Sequence, residues 1–514
     1  MDRNNSLMTY RALSFKVFLF VEKRNRQLLI LSGIAILVQF IIFKFLYPYA
    51  DFFSDSYSYL YAASANLNVS IWPIGYSKFL RAFHELTHSD TALVAFQYFF
   101  LELSSLYLFF TVLYFYNPGR AVRNILFIFL FLNPLFLYLS NYVNSDPLFA
   151  SLSLIWLTEL IWILNRSRIY HIFTQAIFLF LAFTVRNNAY YYPFIAILVF
   201  ILTRQKWWFK LAGSLLGLAL IIPFILRTRT VAKQMTGTAQ FSLFTGWQLA
   251  NNALYMYGHI NSDTMLLPSL GSRELDRITR KFYSTVPPDF SDILSDYVAN
   301  YFIRQPESPL KKYYYSHYKY KDQYTSVVNW GKASVVYGEW ASSLIKQHPA
   351  AFVRYFMLLN TKNYLLPPLE KLEIYNLGQD DVENIAQDWF DYKSPEVNSI
   401  SKELQGKILF LYPYLFCLLN FYFLITLCWF IFKRKYSTPN SSVNDLLLLS
   451  VCFWLANFAF CIGTTILVFR YEVFPMIVCL VSSSLLFQWM DEKIPEKEKT
   501  TKQAELLPTQ PRII

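Results

Sequence analysis

Charge is scarce in this sequence: 16% of its 514 residues are Asp, Glu, Lys or Arg, against 55% hydrophobic and 19% aromatic. A chain so composed is neither a disordered polypeptide nor an ordinary soluble enzyme. Glycine is scarce too, with 14 residues and no Gly-rich loop of the kind that cradles phosphates, so no nucleotide-binding fold is expected. The five cysteines (Cys417, Cys428, Cys452, Cys461 and Cys479) all lie in apolar stretches late in the chain. The polar stretch before them therefore holds no disulfide framework and no thiolate metal site, and the cysteines read as small packing residues. No cleavable leader is expected, because a charged stretch gives way directly to a full-length apolar run at Leu28–Tyr47.

What is present is a series of apolar runs, the signature of a polytopic α-helical membrane protein. The expected fold class is an all-α polytopic membrane protein with about ten spans, at 28–47, 91–116, 125–140, 147–164, 172–186, 189–203, 211–226, 407–432, 445–468 and 473–490. Several are shorter than the roughly 20 residues that cross a bilayer upright, and 172–203 reads equally as two short or broken helices. Ahead of them, Tyr10–Gln27 is expected to be an amphipathic interfacial helix, with Phe15, Phe18 and Phe20 apolar and Lys16, Lys23, Arg24 and Arg26 charged.

The net charge of +12 is read by position rather than by sum. With the N-terminus in the cytoplasm, the short cytoplasmic loops are 117–124 (Arg120, Arg123), 165–171 (Arg166, Arg168), 204–210 (Arg204, Lys206, Lys210) and 433–436 (Lys433, Arg434, Lys435). The opposite short loops are nearly free of cations, in agreement with the positive-inside rule. Both termini are thus expected in the cytoplasm and the chain in the inner or plasma membrane, and nucleic acid is not an expected partner. The domain division follows: 1–27 N-terminal segment; 28–226 first membrane module with an external loop at 48–90; 227–406 external domain, mixed but mainly helical; 407–490 C-terminal spans; and 491–514 a charged cytoplasmic tail.

The first external loop, YADFFSDSYSYLYAASANLNVSIWPIGYSKFLRAF, carries most of the candidate chemistry. Asp51 and Asp55 stand just beyond the first span, and a carboxylate there, beside aromatic and cationic side chains, suits a general base towards a hydroxyl. Lys78 and Arg81 suit a phosphate at the same interface. A solvated loop with interfacial anchors fits the same residues. Glu102, inside the second span, is expected to pair with Lys44 or a polar neighbour. His84 and His88 in HELTH match the zinc-protease pattern His-Glu-x-x-His, but no third ligand accompanies them, and no resident metal is expected.

The D-S-Y-x-Y-L-x-x-A pattern at Asp55–Ala63, followed by P-x-G-Y at Pro73–Tyr76, resembles the first external loop of GT-C superfamily membrane glycosyltransferases, such as the protein O-mannosyltransferase and aminoarabinose-transferase relatives. In the same order, Asn144–Phe149 resembles that family's second acidic loop, and Phe183–Arg186 with Pro193 its arginine before an aromatic-rich short helix. Gln347-His348-Pro349 resembles its late membrane-proximal segment, and Phe469-Arg470-Tyr471 with Pro475 its Arg-Tyr ahead of the final span. The resemblance runs from about residue 48 to 475. It implies transfer of a sugar from a polyprenyl-phosphate donor, without a cofactor, to a glycan, lipid or protein acceptor on the non-cytoplasmic face. It further implies Asp55 as catalytic base with Asp51 as its competitor, and Tyr76, Lys78, Arg81, Arg186, Arg470 and Tyr471 around the donor's phosphate and sugar. Asp146 falls on the acceptor side or serves as a helix cap before Pro147. A flippase for lipid-linked saccharides and a polysaccharide polymerase or ligase are the competing readings.

Overall fold

A computed structural model describes residues 14–287, 290, 299–434 and 441–491. The expected tail beyond residue 491, the first part of the N-terminal segment and residues 435–436 of the 433–436 loop lie outside the described residues. Among these residues the chain is helical, with two isolated backbone bridges and no strand. The described residues of the 227–406 region, expected to be mixed but mainly helical, contain helices and no strand.

Eight helical stretches are long and apolar enough to cross a membrane, among the described residues: Lys23–Leu46, Asp90–Tyr116, Arg120–Asn141, Ser145–Arg166, Trp207–Thr236, Leu404–Phe432, Ser442–Thr464 and Phe469–Trp489. Ile169–Val185 and Asn187–Leu202 are apolar but shorter. The helices used below are, in chain order, α1 (Phe15–Phe20), α2 (Lys23–Leu46), α3 (Ser54–Ser64), α4 (Ile74–His84), α5 (Asp90–Tyr116), α6 (Arg120–Phe131) and α7 (Pro134–Asn141). They continue with α8 (Ser145–Arg166), α9 (Ile169–Val185), α10 (Tyr192–Leu202), α11 (Trp207–Thr236), α12 (Thr245–Tyr257) and α13 (Gln323–Gln347). The chain is a multi-pass helical membrane protein by length and composition.

Local chemistry sets the breaks. The expected Tyr10–Gln27 helix stops at Phe20, because Asn25 Nδ2 donates to the Phe18 carbonyl (3.0 Å) and to Glu22 (3.2 Å), closing α1 and opening α2. The expected 125–140 span is two helices, since Pro134 starts α7 and Asn133 Oδ1 accepts from Leu135 N at 3.0 Å. Helix α9 ends at the turn Asn187–Tyr191, which leads into α10, so the ambiguous 172–203 stretch is a pair of short helices.

Helix α8 is the axis of the bundle. Of its most apolar window, 89% is buried, whereas for α2 the share is 17% and for α11 22%, which places those two at the lipid-facing rim. Ser145, Ser151, Ser153 and Thr158 keep α8 slim, and Ser151 and Thr158 return their hydroxyls to the carbonyls of Pro147 and Leu154. Small polar residues of this kind let neighbouring backbones close in without leaving a donor unpaired in the bilayer. Glu102 and Lys44 are each within the bundle but form no ion pair with one another among the described residues, so of the two expected partners Glu102 has the polar neighbour and not Lys44. Burial around Glu102 is met instead by the neighbouring Tyr98.

Helix α11, 30 residues long, is about 45 Å at the helical rise and so outruns a bilayer core of about 30 Å. Its far end packs on α13, where the second hydrophobic core begins: Trp247, Leu275, Phe302, Leu310, Tyr337 and Trp340. This core closes at the crossing of α12 and α13, where a Cβ on Gly246 would stand 1.7 Å from the Ser334 carbonyl oxygen. Gly246→Ala is expected to destabilise this helical region by about 1–3 kcal/mol, since the two backbones must separate. Limited proteolysis of the folded chain reads the effect, and an unchanged cleavage rate would count against close packing there. The rest of the expected external domain behaves differently. Leu369, Leu372, Tyr375, Val382 and Trp389 join the core of the membrane bundle, so the segment after Leu366 lies over the bundle's end rather than on the second core.

Candidate functional site

The site forms where three loops meet at the end of the bundle below the large helical region. A backbone bridge ties the first two: Asp51 N donates to the Asn141 carbonyl (2.8 Å) and Val143 N to the Asp51 carbonyl (3.0 Å). This fixes the start of α3 against the start of α8, so that Asp55 and Asp146, each in a first helical turn, face a common space. The Phe469–Glu472 turn brings Arg470 between them.

Arg470 is the hub. Its Nη1 donates to Asp146 Oδ2 at 2.9 Å and its Nη2 to Asp55 Oδ2 at 3.5 Å and Tyr471 Oη at 3.2 Å. Its guanidinium also lies 5.0 Å from the Phe53 ring centre and 4.9 Å from that of Tyr471. Arg186 donates to the other oxygen of Asp146 and lies 4.3 Å from the Tyr471 ring. Asn144 donates to Asp146 as well. On the far side, Lys371 Nζ donates to Asp55 Oδ2 at 3.1 Å and sits 4.1 Å above the Phe53 ring.

These five charged side chains are all mostly buried, from 4% exposed for Asp146 to 15% for Asp55. Three cations, Arg186, Arg470 and Lys371, face two carboxylates, so the cluster carries 3 − 2 = +1. Burial pushes the Asp55 carboxyl up, but Lys371 and Arg470 outweigh it and hold Asp55 below the ordinary carboxylate value. Asp55 is therefore ionised at neutral pH. A tight crevice, with no room for a water molecule, is lined by Phe53, Leu139, Tyr142, Asp146, Lys371 and Arg470 among others and adjoins the cluster.

Of the residues picked out in the sequence, Asp55, Asp146, Arg186, Arg470 and Tyr471 converge here. Tyr76 stands one layer back: its hydroxyl donates to Gln97 at 2.8 Å, and its ring meets Tyr59, whose hydroxyl is 3.0 Å from Ser145 Oγ. Lys78 and Arg81 are not part of the cluster. They point to the opposite end of α3, where Lys78 donates to Asn66 Oδ1 (2.8 Å) and Arg81 to the Ala63 and Ser64 carbonyls (both 3.3 Å). Asp51 is fully buried and accepts from Asn376 N at 2.8 Å, away from the three cations. His84 and His88 do not share a helical face, because α4 ends at His84; their rings stack at 3.9 Å, and His88 bonds Asp391.

Lys371 is the site residue that the sequence did not reveal. It sits in LPPLEKLEIY, with no motif to mark it, and arrives only because the segment after Leu366 folds back onto the bundle. Tyr142 donates to its carbonyl, Gln405 Nε2 donates to Tyr142 Oη at 3.0 Å, and Glu370 beside it pairs with Arg304 of the second core.

Asp51 gives a pH prediction. Burial pushes its carboxyl from 3.8 up to about 8, against the opposing pull of the Asn376 hydrogen bond. A folded-state value above the unfolded one means that the folded chain binds the proton more tightly. The resulting stability is full at acid pH and drains away as pH rises from about 4 to about 8. Asp51→Asn keeps the Asn376 acceptor and removes the charge, so it is expected to raise thermal stability above pH 8 by on the order of a few kcal/mol and flatten the dependence below it. Melting curves from pH 5 to 9 test this; a variant that melts lower at every pH would show the carboxylate to be needed as such.

No protein family's sequence profile matches the chain, and neither the curated proteins nor the solved structures contain a match. The functional reading therefore rests on the site itself.

Proposed function

We propose that the chain is an integral-membrane glycosyltransferase that moves a sugar from a polyprenyl-phosphate carrier to a hydroxyl acceptor on the non-cytoplasmic face of the inner or plasma membrane. The single observation that supports it is the buried +1 cluster in which Asp55 and Asp146 share Arg470. A phosphodiester carries one negative charge, so its binding brings this cluster to neutrality. It meets cations and aromatic faces at the depth where a lipid-borne phosphate resides.

In this reading Asp55 takes the proton of the acceptor hydroxyl as the acceptor oxygen attacks the anomeric carbon. The carbon–oxygen bond to the carrier phosphate breaks, its electron pair leaves with the phosphate, and the anomeric configuration inverts. Asp55 is a weak base while Lys371 and Arg470 hold it. A donor phosphate competes for both cations, and as they turn towards it the carboxylate becomes more basic. Arg186 and Arg470 then balance the charge that develops on the leaving group. Asp146 holds both arginines and so fixes where the phosphate sits. The reading keeps both termini in the cytoplasm, with α9 and α10 as a pair of short helices between the longer spans.

The test is mass spectrometry of lipids that co-purify with the wild-type chain and with Asp55→Asn. A polyprenyl-phosphate sugar kept by the variant, with bare polyprenyl phosphate on the wild type, would support donor and base together. Absence of any such lipid from both, with added donor left unturned, would end the transferase reading in favour of transport.

A further inference from the structure

A second charged group lies at the rim of the bundle, apart from the Asp55 cluster, and nothing in the proposed reaction uses it. Lys78 and Arg81 on α4 converge with Arg227 of α11 around the turn that ends α3. The protein partners of Lys78 and Arg81 there are the Asn66 side chain and the backbone carbonyls of Ala63, Ser64 and Asn66. Among the described residues the one carboxylate paired with them is Glu85, 4.0 Å from Arg81 and itself exposed. Arg227 has no carboxylate partner among the described residues. Burial, and then the two arginines, push the Lys78 ammonium below the ordinary lysine value, as expected where cations face one another.

The same place offers apolar surface. A groove of about 350 Å³, open on one side, lies between the first loop and the ends of α9 and α11, lined by Ile71, Trp72, Ile74, Phe183, Phe224 and Phe241 among others. Lys78 is one helical turn beyond Ile74, and Arg227 lies between Phe224 and Thr228, which both line the groove. Arg229 and Lys233 follow on α11 and are exposed. Cations at this end of a span run against the bias of the short loops, which collect them at the other face.

We propose that Lys78, Arg81 and Arg227 with this groove form a binding site for one anionic glycerophospholipid of the surrounding bilayer, phosphate on the cations and the start of an acyl chain in the groove. Bulk lipid is the occupant because the groove is lined by α11, among the spans with the least surface buried inside the bundle, and shares no lining residue with the crevice at Arg470. An anionic headgroup is selected over a zwitterionic one because three cations here face a single exposed carboxylate, Glu85, and so leave a positive surplus. The donor's phosphate is a poor fit: the reacting bond must lie at Asp55, and neither Lys78 nor Arg81 makes a contact with that cluster. The proposal does not depend on the transferase reading.

The test uses the full chain in nanodiscs of phosphatidylcholine with a minor share of phosphatidylglycerol, followed by native mass spectrometry of the lipids it keeps. Wild type is expected to retain phosphatidylglycerol about tenfold over its bulk share, and Lys78→Gln/Arg227→Gln to fall back to the bulk ratio. Lys78→Arg/Arg227→Lys should keep the enrichment. Arg227→Gln alone, at an exposed position, carries the test if the double variant does not fold. Bulk-like retention by the wild type, or undiminished enrichment in the glutamine variants, would overturn the site. So would loss of polyprenyl phosphate, rather than phosphatidylglycerol, from those variants, because that would put the donor here.

Discussion

Asp55→Asn is expected to slow sugar transfer by roughly 10²–10⁴-fold while donor binding survives, the range over which a positioned general base acts. The substitution is nearly isosteric and keeps an oxygen for Lys371 and Arg470, so the crevice wall is preserved. What is lost is the charge that, in the proposed reaction, receives the acceptor proton. Removing it also leaves the cluster with two surplus cations instead of one, which should tighten rather than weaken the hold on a phosphodiester. Loss of turnover with donor affinity equal to or above wild type therefore distinguishes a base from a binding residue. Asp51→Asn should leave transfer near wild type, because Asp51 contacts Asn376 and not the three cations. The measurement is transfer of labelled sugar from a polyprenyl-phosphate donor in reconstituted vesicles. Turnover by Asp55→Asn within about tenfold of wild type would remove it from the base role.

The positions of the spans were legible because apolar length is a strong constraint: a bilayer admits only helices with their backbone satisfied internally. The interruptions were less so. The Asn133-Pro134 break and the Asn25 contact that closes α1 depend on single side chains meeting backbone groups, which a hydropathy window averages away. In the site, Asp55 stood out as a carboxylate just beyond an apolar run, whereas Asp146, Arg186 and Arg470 stood out through the resemblance of their short motifs. Lys371 did not, since it lies in a polar stretch where lysine is ordinary, and it reaches Asp55 only through the fold of residues far along the chain. The misplacement of Lys78 and Arg81 has a related cause. Closeness in sequence to Asp55 suggested closeness in space, but α3 is a rod of 11 residues, and their partners are at its other end.

Arg470→Gln is expected to be the most destabilising single change in the site, by about 3–5 kcal/mol, because it takes a shared buried cation from two carboxylates at once. Asp146 and Asp55 are 4% and 15% exposed, and Arg470 itself is 6% exposed, so water cannot readily replace the guanidinium. Arg186 remains for Asp146 and Lys371 for Asp55, but each must then hold a carboxylate that it now shares. Arg186→Gln should cost less, since it abandons Asp146 alone and leaves Arg470 in place. The ordering follows from connectivity rather than from the strength of any one contact. A second change tests the cause: in Arg470→Gln/Asp146→Asn one stranded charge is removed with its partner, and part of the lost stability should return. Thermal melts of the four variants in one detergent decide it. If Arg470→Gln melts with the wild type, or the added Asp146→Asn lowers stability further by its full separate cost, Arg470 does not tie the two acidic loops together. The charged cluster would then be a solvated arrangement instead of a buried, preorganised one.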